Sequence, residues 1–347
     1  VNCPCYSTSE RQTPSSCSIQ HVPGEAWNCG RPAPVILVTA PAATRVGHLN
    51  EVRPIFKLIL IALLWNTGEM ATASAETALT LDDRPVPYST WHHMALPADE
   101  ISFTAPPGVE VFLNDQPLAR DGLISAPETP GTYDLDFRSS SGKILYDIAL
   151  FVLEPSDRID SEGRINGYRI GDYPERTPAG FIRLEKDEIS TKVSPHFTIG
   201  QFLCHQQPGH WPKYLLISGP NLDRLEILLA ALNEDGLTDA DTFFVMSGYR
   251  TPDYNTAIGS ATLSRHMFGD AADVYLDVAP KDGVMDDINR DGVLDKEDAN
   301  FLFDYAADLF ASTEDTPRGG LGSYSANAVH GPFVHVDGRG QPARWGR

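Results

Sequence analysis

The sequence predicts an α+β protein in which a small all-β, sandwich-like domain precedes a domain that mixes helix with strand. Three observations predict it. Short runs with period-2 alternation recur about every 10 to 15 residues between 81 and 155, broken by Pro and Gly turns. Residues 221–233 place Leu222, Leu225, Ile227, Leu228, Leu229 and Leu232 on the i, i+3, i+4 stripe of a packed helix. Runs such as 242–246 and 333–337 then read as strands.

With 347 residues the chain has room for two domains and a targeting segment. Its 47 acidic residues against 27 basic ones leave a formal charge of −20, which repels polyphosphate and anionic headgroups, so no nucleic-acid partner is expected. A 41% share of hydrophobic residues excludes global disorder. No apolar run reaches the roughly 20 residues of a membrane-spanning helix, and no span is expected in the mature protein.

The first element is a targeting signal. The longest apolar run, Leu58 to Trp65, follows Arg53 and Lys57 and precedes the small-residue site Ala73-Ser74-Ala75, so 51–75 reads as a secretory signal peptide and the protein as periplasmic or secreted. Residues 1–50, rich in Pro, Ser and Cys and without periodicity, read as a non-native upstream extension, with a genuine cysteine-rich extension as the alternative. Cys3, Cys5, Cys17 and Cys29 precede the cleavage site, which leaves Cys204 as a single thiol that makes no internal disulfide and reads as a buried apolar residue.

Residues 76–155 form the expected sandwich-like domain, with the run Val109 to Leu113, the turn Asn114-Asp115, the alternation Tyr133 to Phe137 and the run Ile148 to Leu153. The polar, turn-rich segment 156–194 reads as a linker, and a second domain fills 195–347. Within it, His266 and Asp273 lie seven residues apart around a Gly turn. Far downstream, 329–337 holds two more histidines, with residues 333, 335 and 337 on one face of a strand. Two imidazoles and one carboxylate drawn from two elements make an open zinc site with water in the fourth position. The alternative is a structural histidine beside a strand.

Ser247-Gly248-Tyr249-Arg250, Ser264-x-His266-x6-Asp273 and Phe333-Val334-His335-Val336-Asp337 together resemble the D-Ala-D-Ala metallocarboxypeptidase family, which includes the VanX-type dipeptidases and shares its fold with the hedgehog signalling domain. The ending Arg339-Gly340-x3-Arg344-Trp345-Gly346 resembles the branch of the murein endopeptidase MepK. The match runs over about residues 195–347. The resemblance implies a hedgehog/DD-peptidase-like domain with zinc on His266, Asp273 and His335. It further implies that Arg250 polarises the scissile carbonyl and that Ser264 lies near the substrate's terminal carboxylate. Tyr249 is a second candidate for substrate contact, with packing as its alternative.

One departure from the family pattern matters. VanX-like members carry a carboxylate general base three residues before the last His ligand, and here that position is Pro332, which carries no proton. Asp337, on the same strand face as His335, is the first candidate to replace it and His330 the second. The alternative role for Asp337 is to orient His335 through its distal N–H.

A second metal signature occupies 287–298. Asp287, Asn289, Asp291, Asp295 and Asp298 stand at positions 1, 3, 5, 9 and 12 of a calcium loop, with Gly292 at 6 and the Val293 carbonyl at 7. The helix expected after it carries Ala299, Leu302, Phe303, Ala306, Leu309 and Phe310 on one face; none is expected before it, which makes the site a structural half-site. The alternative is a solvated acidic loop. The expected function is therefore that of an exported zinc peptidase acting on peptidoglycan stem peptides, with catalytic zinc and structural calcium, as a carboxypeptidase or a crosslink endopeptidase. A non-catalytic wall-binding protein that keeps the peptidase fold is the alternative.

Overall fold

Alternation between apolar and polar residues builds two β-sheets in the first third of the described chain. One has the strand order Arg84–Pro85, Thr80–Leu81, Glu100–Thr104, Leu123–Ser125, and the other Thr90–Ala95, Ile144–Val152, Gly131–Arg138, Glu110–Leu113, Gln116–Pro117. Leu81, Ile101 and Ile124 of the first sheet are buried, as are Val111, Leu135, Phe137, Ile148 and Leu150 of the second. Phe103 meets Phe137 edge to face with 5.7 Å between ring centroids, which joins the two layers. The structure is a computed structural model that describes residues 78–347, apart from 120 and 279. The upstream extension at 1–50, the signal peptide at 51–75 and the first four cysteines lie outside the described residues.

The segment expected to be a linker is ordered. Gly180–Leu184 pairs with Glu154–Pro155 on one side and Lys213–Leu215 on the other, and Asn166-Gly167 turns a short hairpin between Arg164–Ile165 and Tyr168–Arg169. Phe181, Ile182 and Leu184 are buried in the core that runs without a break from the sandwich into the rest of the chain. An apolar run this short is masked by its polar surroundings, so 156–194 reads as a linker in sequence although it forms the seam in the fold. Two further contacts cross the same seam: Tyr88 donates to Asp223 Oδ1 at 2.7 Å, and buried His92 holds the Val193 carbonyl at 2.9 Å.

Beyond the seam a five-stranded sheet has the order Phe244–Ser247, Ala271–Tyr275, Phe333–Asp337, Gly320–Tyr324, Ala343–Trp345, antiparallel except for the last pair. The apolar stripe of Gly219–Glu234 and that of Lys296–Ser312 cover this sheet, with Leu222, Leu225, Leu229, Leu302, Phe303 and Ala306 buried. Ser323 donates to Asn300 of the second helix at 2.7 Å. Because Ser323 stands opposite Val334, residues of that parity face the helices and residues of the other parity face away. The first helix enters through Pro220 and stops at Asp235-Gly236, where Gly236 takes φ +66°. Asp295 and Asp298 cap the second helix reciprocally. No helix among the described residues is long and apolar enough to cross a membrane. Cys204 is buried and free, and burial pushes its thiol pKa up.

Gly269 joins the short 3-10 turn Arg265–Phe268 to the Ala271–Tyr275 strand at φ +66°, and a Cβ there would lie 2.3 Å from the Leu216 carbonyl carbon and oxygen. Only glycine lets the turn rest on that backbone. Gly269→Ala is therefore expected to lower stability by about 3 kcal/mol or more, which thermal unfolding reads as a fall of roughly 6 °C or more. An unchanged melting temperature would show that the turn relaxes freely.

Candidate metal centre

The face of the five-stranded sheet that points away from the helices carries the chemistry. Asp273 and His335 are direct cross-strand neighbours on its two central strands, so the register alone brings their side chains together. His266 reaches them from the 3-10 turn. Its Nε2 lies 3.2 Å from His335 Nδ1 and 3.3 Å from Asp273 Oδ1, and His335 Nδ1 lies 2.8 Å from that same oxygen. Ligands bound at about 2.0 to 2.1 Å at tetrahedral angles stand roughly 3.3 Å apart, so a triangle of this size fits one zinc ion. Two imidazoles and a carboxylate are also the donor set that zinc accepts.

Each ring is aimed from behind. His266 Nδ1 donates to the Gly248 carbonyl at 2.6 Å, which leaves the Nε2 lone pair toward the centre. His335 Nε2 faces Asp337 Oδ2 at 3.2 Å, which leaves Nδ1 toward the centre. The second oxygen of Asp273 is held by the Arg250 guanidinium, whose Nε donates to Ser247 Oγ at 2.7 Å. Asp337 is itself fixed, accepting from Gly320 N–H at 2.8 Å and from Arg339 Nε at 2.9 Å. A Cβ on Gly320 would stand 2.4 Å from Asp337 Oδ2, so the missing side chain is what admits the carboxylate.

The charges follow from these contacts. Burial alone would lower the His335 pKa, but hydrogen bonds to the Asp273 and Asp337 carboxylates outweigh it and hold the ring above its ordinary value. Burial pushes His266 down. Burial works against ionised Asp273, yet His266 and His335 hold its carboxyl well below the usual carboxylate range.

The remaining candidates separate clearly. Arg250 joins the centre through Asp273. Ser264 opens the turn that carries His266, and its hydroxyl makes no hydrogen bond among the described residues. Tyr249 is buried, and its hydroxyl meets that of Tyr173 at 2.8 Å, as in the packing alternative. Asp337 is not placed as a general base. It has no exposed surface, its oxygens serve His335, Arg339 and Gly320, and those partners hold its carboxyl far below the usual range against the effect of burial. His330 is not placed as one either, since Asn327 Nδ2 occupies its Nε2 at 2.7 Å and its ring packs edge-on against Phe333. The Gly248 carbonyl was not legible beforehand, because a backbone partner leaves no trace in residue type.

In the 287–298 loop the acidic side chains turn onto their own backbone. Asp287 accepts from Asp291 and Gly292 N–H at 3.1 and 2.8 Å, and Asp298 accepts from Asn289 and Asp295 N–H at 3.4 and 3.0 Å. Among the described residues, His266, Asp273 and His335 are the group of three whose ligand atoms gather within 4.8 Å; the loop carboxylates do not gather so closely.

A metal must displace the proton that the two carboxylates keep on His335, whereas buried His266 is already neutral and Asp273 already ionised. Zinc affinity is therefore expected to rise about tenfold per pH unit until pH passes the raised His335 pKa, measured by chelator competition with one proton released per ion. The same proton stabilises the metal-free protein at low pH, and that contribution is lost as pH rises through the folded pKa. Asp337→Asn is expected to weaken zinc binding by about 10- to 100-fold. Affinity that is flat with pH would show that His335 binds no proton for zinc to displace.

Residues 223–291 match the model of the Peptidase M15 family. The matched stretch contains Arg250, His266 and Asp273, while His335 lies beyond it. No curated protein matches the chain. The stretch that carries two members of the buried triangle is thus similar to the Peptidase M15 family.

Proposed function

We propose that this protein is an exported zinc peptidase that hydrolyses peptidoglycan stem peptides. The observation that carries the reading is the triangle of His266 Nε2, Asp273 Oδ1 and His335 Nδ1, each held by a partner of its own, in a chain with a Peptidase M15 stretch. Zinc bound there would supply a water acidified to a pKa of about 7 and a Lewis acid for the scissile carbonyl. Arg250, one carboxylate away from the ligand atoms, offsets negative charge that develops on the amide oxygen. Ser264 offers an unengaged hydroxyl to a terminal carboxylate beside the His266 turn. Export rests on the signal-peptide pattern at 51–75.

A second reading, a wall-binding protein that keeps the metal centre without catalysis, is favoured by Pro332 and by the commitment of Asp337 and His330 to other partners. Digestion of defined stem peptides with and without a chelator, followed by mass analysis, separates the two. The peptidase yields new products that disappear on metal removal, and the binding protein yields none. Ser264→Ala is expected to cost about 1 to 2 kcal/mol, roughly five- to thirtyfold in kcat/KM, on a free D-Ala-D-Ala end and almost nothing on a crosslink. Arg250→Ala is expected to lower kcat on either substrate by about a hundredfold or more. If Ser264→Ala is neutral on free ends while Arg250→Ala is severe on crosslinks, the enzyme is an endopeptidase.

We also propose that the 287–298 loop takes calcium as a structural ion. Support comes from its residue pattern, from Gly292 at φ +84° at the sixth position, and from Asp298, which burial together with Asp287 and Asp291 pushes toward protonation. Asp291→Ala is expected to lower the melting temperature only in calcium-containing buffer, since binding stabilises the folded state by mass action. An equal loss in a chelator would leave the loop as packing alone.

A further inference from the structure

His266 is the one ligand that the sheet does not carry. Cross-strand register fixes Asp273 and His335 relative to each other, but the 3.2 Å from His266 Nε2 to His335 Nδ1 depends on how the turn Arg265–Phe268 is fastened beside the sheet. Gly269 seats the end of that turn, and Asp270 closes its beginning. Asp270 lies between His266 and Asp273 in sequence and is 4% exposed. Its Oδ2 accepts from Arg265 Nε at 3.0 Å and from a terminal nitrogen of the same guanidinium, and its backbone N–H donates to the Arg265 carbonyl at 3.2 Å. Side chain and backbone thus both close the turn at the residue next to the ligand.

The carboxylate is anchored in its turn. Ser218, at the N-terminus of the helix Gly219–Glu234, makes no side-chain bond to its own helix and donates instead to Asp270 Oδ1 at 2.8 Å. The helix dipole favours an anion at that end. Gly338 N–H, one residue past the strand of His335, donates to the Asp270 carbonyl at 3.1 Å, and a Cβ on Gly338 would stand 2.6 Å from Asp270 Oδ1. Asp270 therefore closes the turn of the first ligand, leads directly into the Ala271–Tyr275 strand of the second and holds the end of the strand of the third. Two N–H groups of one guanidinium on a buried carboxylate make a charge-assisted contact that fixes geometry as well as distance. Arg265 is partly exposed, so without that contact its guanidinium turns to water and the turn loses the side-chain half of its closure.

We propose that Asp270 is a positioning residue of the metal centre, which acts through Arg265 to hold the His266 ring within reach of an ion on Asp273 and His335. That role rests on the metal-site reading of the centre, and its first readout needs no metal, which keeps the two apart. The full chain is compared with Asp270→Asn, with Arg265→Gln and with both substitutions together. Leu232→Ala, which opens a cavity at a fully buried position of the helix, is the control for lost stability alone.

In the metal-free chain, the His266 Nδ1–H held by the Gly248 carbonyl is expected to give a sharp, slowly exchanging proton resonance in the wild type and in Leu232→Ala, and to lose it in Asp270→Asn and in Arg265→Gln. Zinc affinity by chelator competition is expected to fall about tenfold or more in either variant, and no further in the double variant, because the two residues act as one unit. Cobalt loaded in place of zinc is expected to show an altered visible spectrum in the same variants, since one nitrogen ligand is displaced. A resonance and an affinity both kept in Asp270→Asn would overturn the proposal. So would losses of the same size in Leu232→Ala, which would make Asp270 a stabiliser of the fold and nothing more. If both latch variants lose the resonance while the wild type binds no zinc, the hold on His266 stands and the metal reading falls.

Discussion

The centre depends on one cross-strand register, Asp273 opposite His335. Strand side chains alternate between faces, so a slip of either strand by one residue would turn its ligand into the helix layer and bring a neighbour, Ala272 or Val336, to the face that ligand now occupies. The register is pinned from the other face, where Val274, Val334 and Val336 are fully buried with the apolar stripes of the two helices. The third ligand is pinned separately, because Gly269 lets the His266 turn sit against the backbone of residue 216.

Around that register the structure concentrates charge where it is most costly to leave unbalanced. Asp273, Arg250, His335, Asp337 and Arg339 form one chain of contacts with little access to water. Removing one member of a buried network typically costs about 3 to 5 kcal/mol, because its partner is left unpaired. Asp337 is the anchor of this chain. Its position explains Gly319 and Gly320, since a Cβ on Gly319 would stand 1.8 Å from the Asp337 carbonyl oxygen and one on Gly320 would strike its carboxylate.

Much of this was legible in the sequence where periodicity or composition carries the signal. The leucine stripe at 221–233 lies in the helix Gly219–Glu234, and the apolar face after residue 298 lies in Lys296–Ser312. The spacing around His266 and Asp273, read together with Phe333 to Asp337, marked three side chains that the fold brings together. Parity placed Asp337 on the face of His335 but could not say which end of the imidazole it meets, and that end separates a proton carrier from an orienting partner. Tyr249 adjoins a site residue in sequence and yet points into the core, because neighbours on an extended chain face opposite ways. The seam at 156–194 was hidden for another reason: two- to five-residue strands between turns have too few repeats to show a period.

The lone buried thiol has a practical consequence. Cys204 is the one cysteine among the described residues, it has no disulfide partner, and burial disfavours its thiolate. The described part of the chain is therefore built without covalent crosslinks, and its integrity does not depend on the redox poise of the surroundings. A thiol reductant therefore finds no disulfide to break among the described residues, and the buried Cys204 thiol is shielded from oxidants that act on the thiolate.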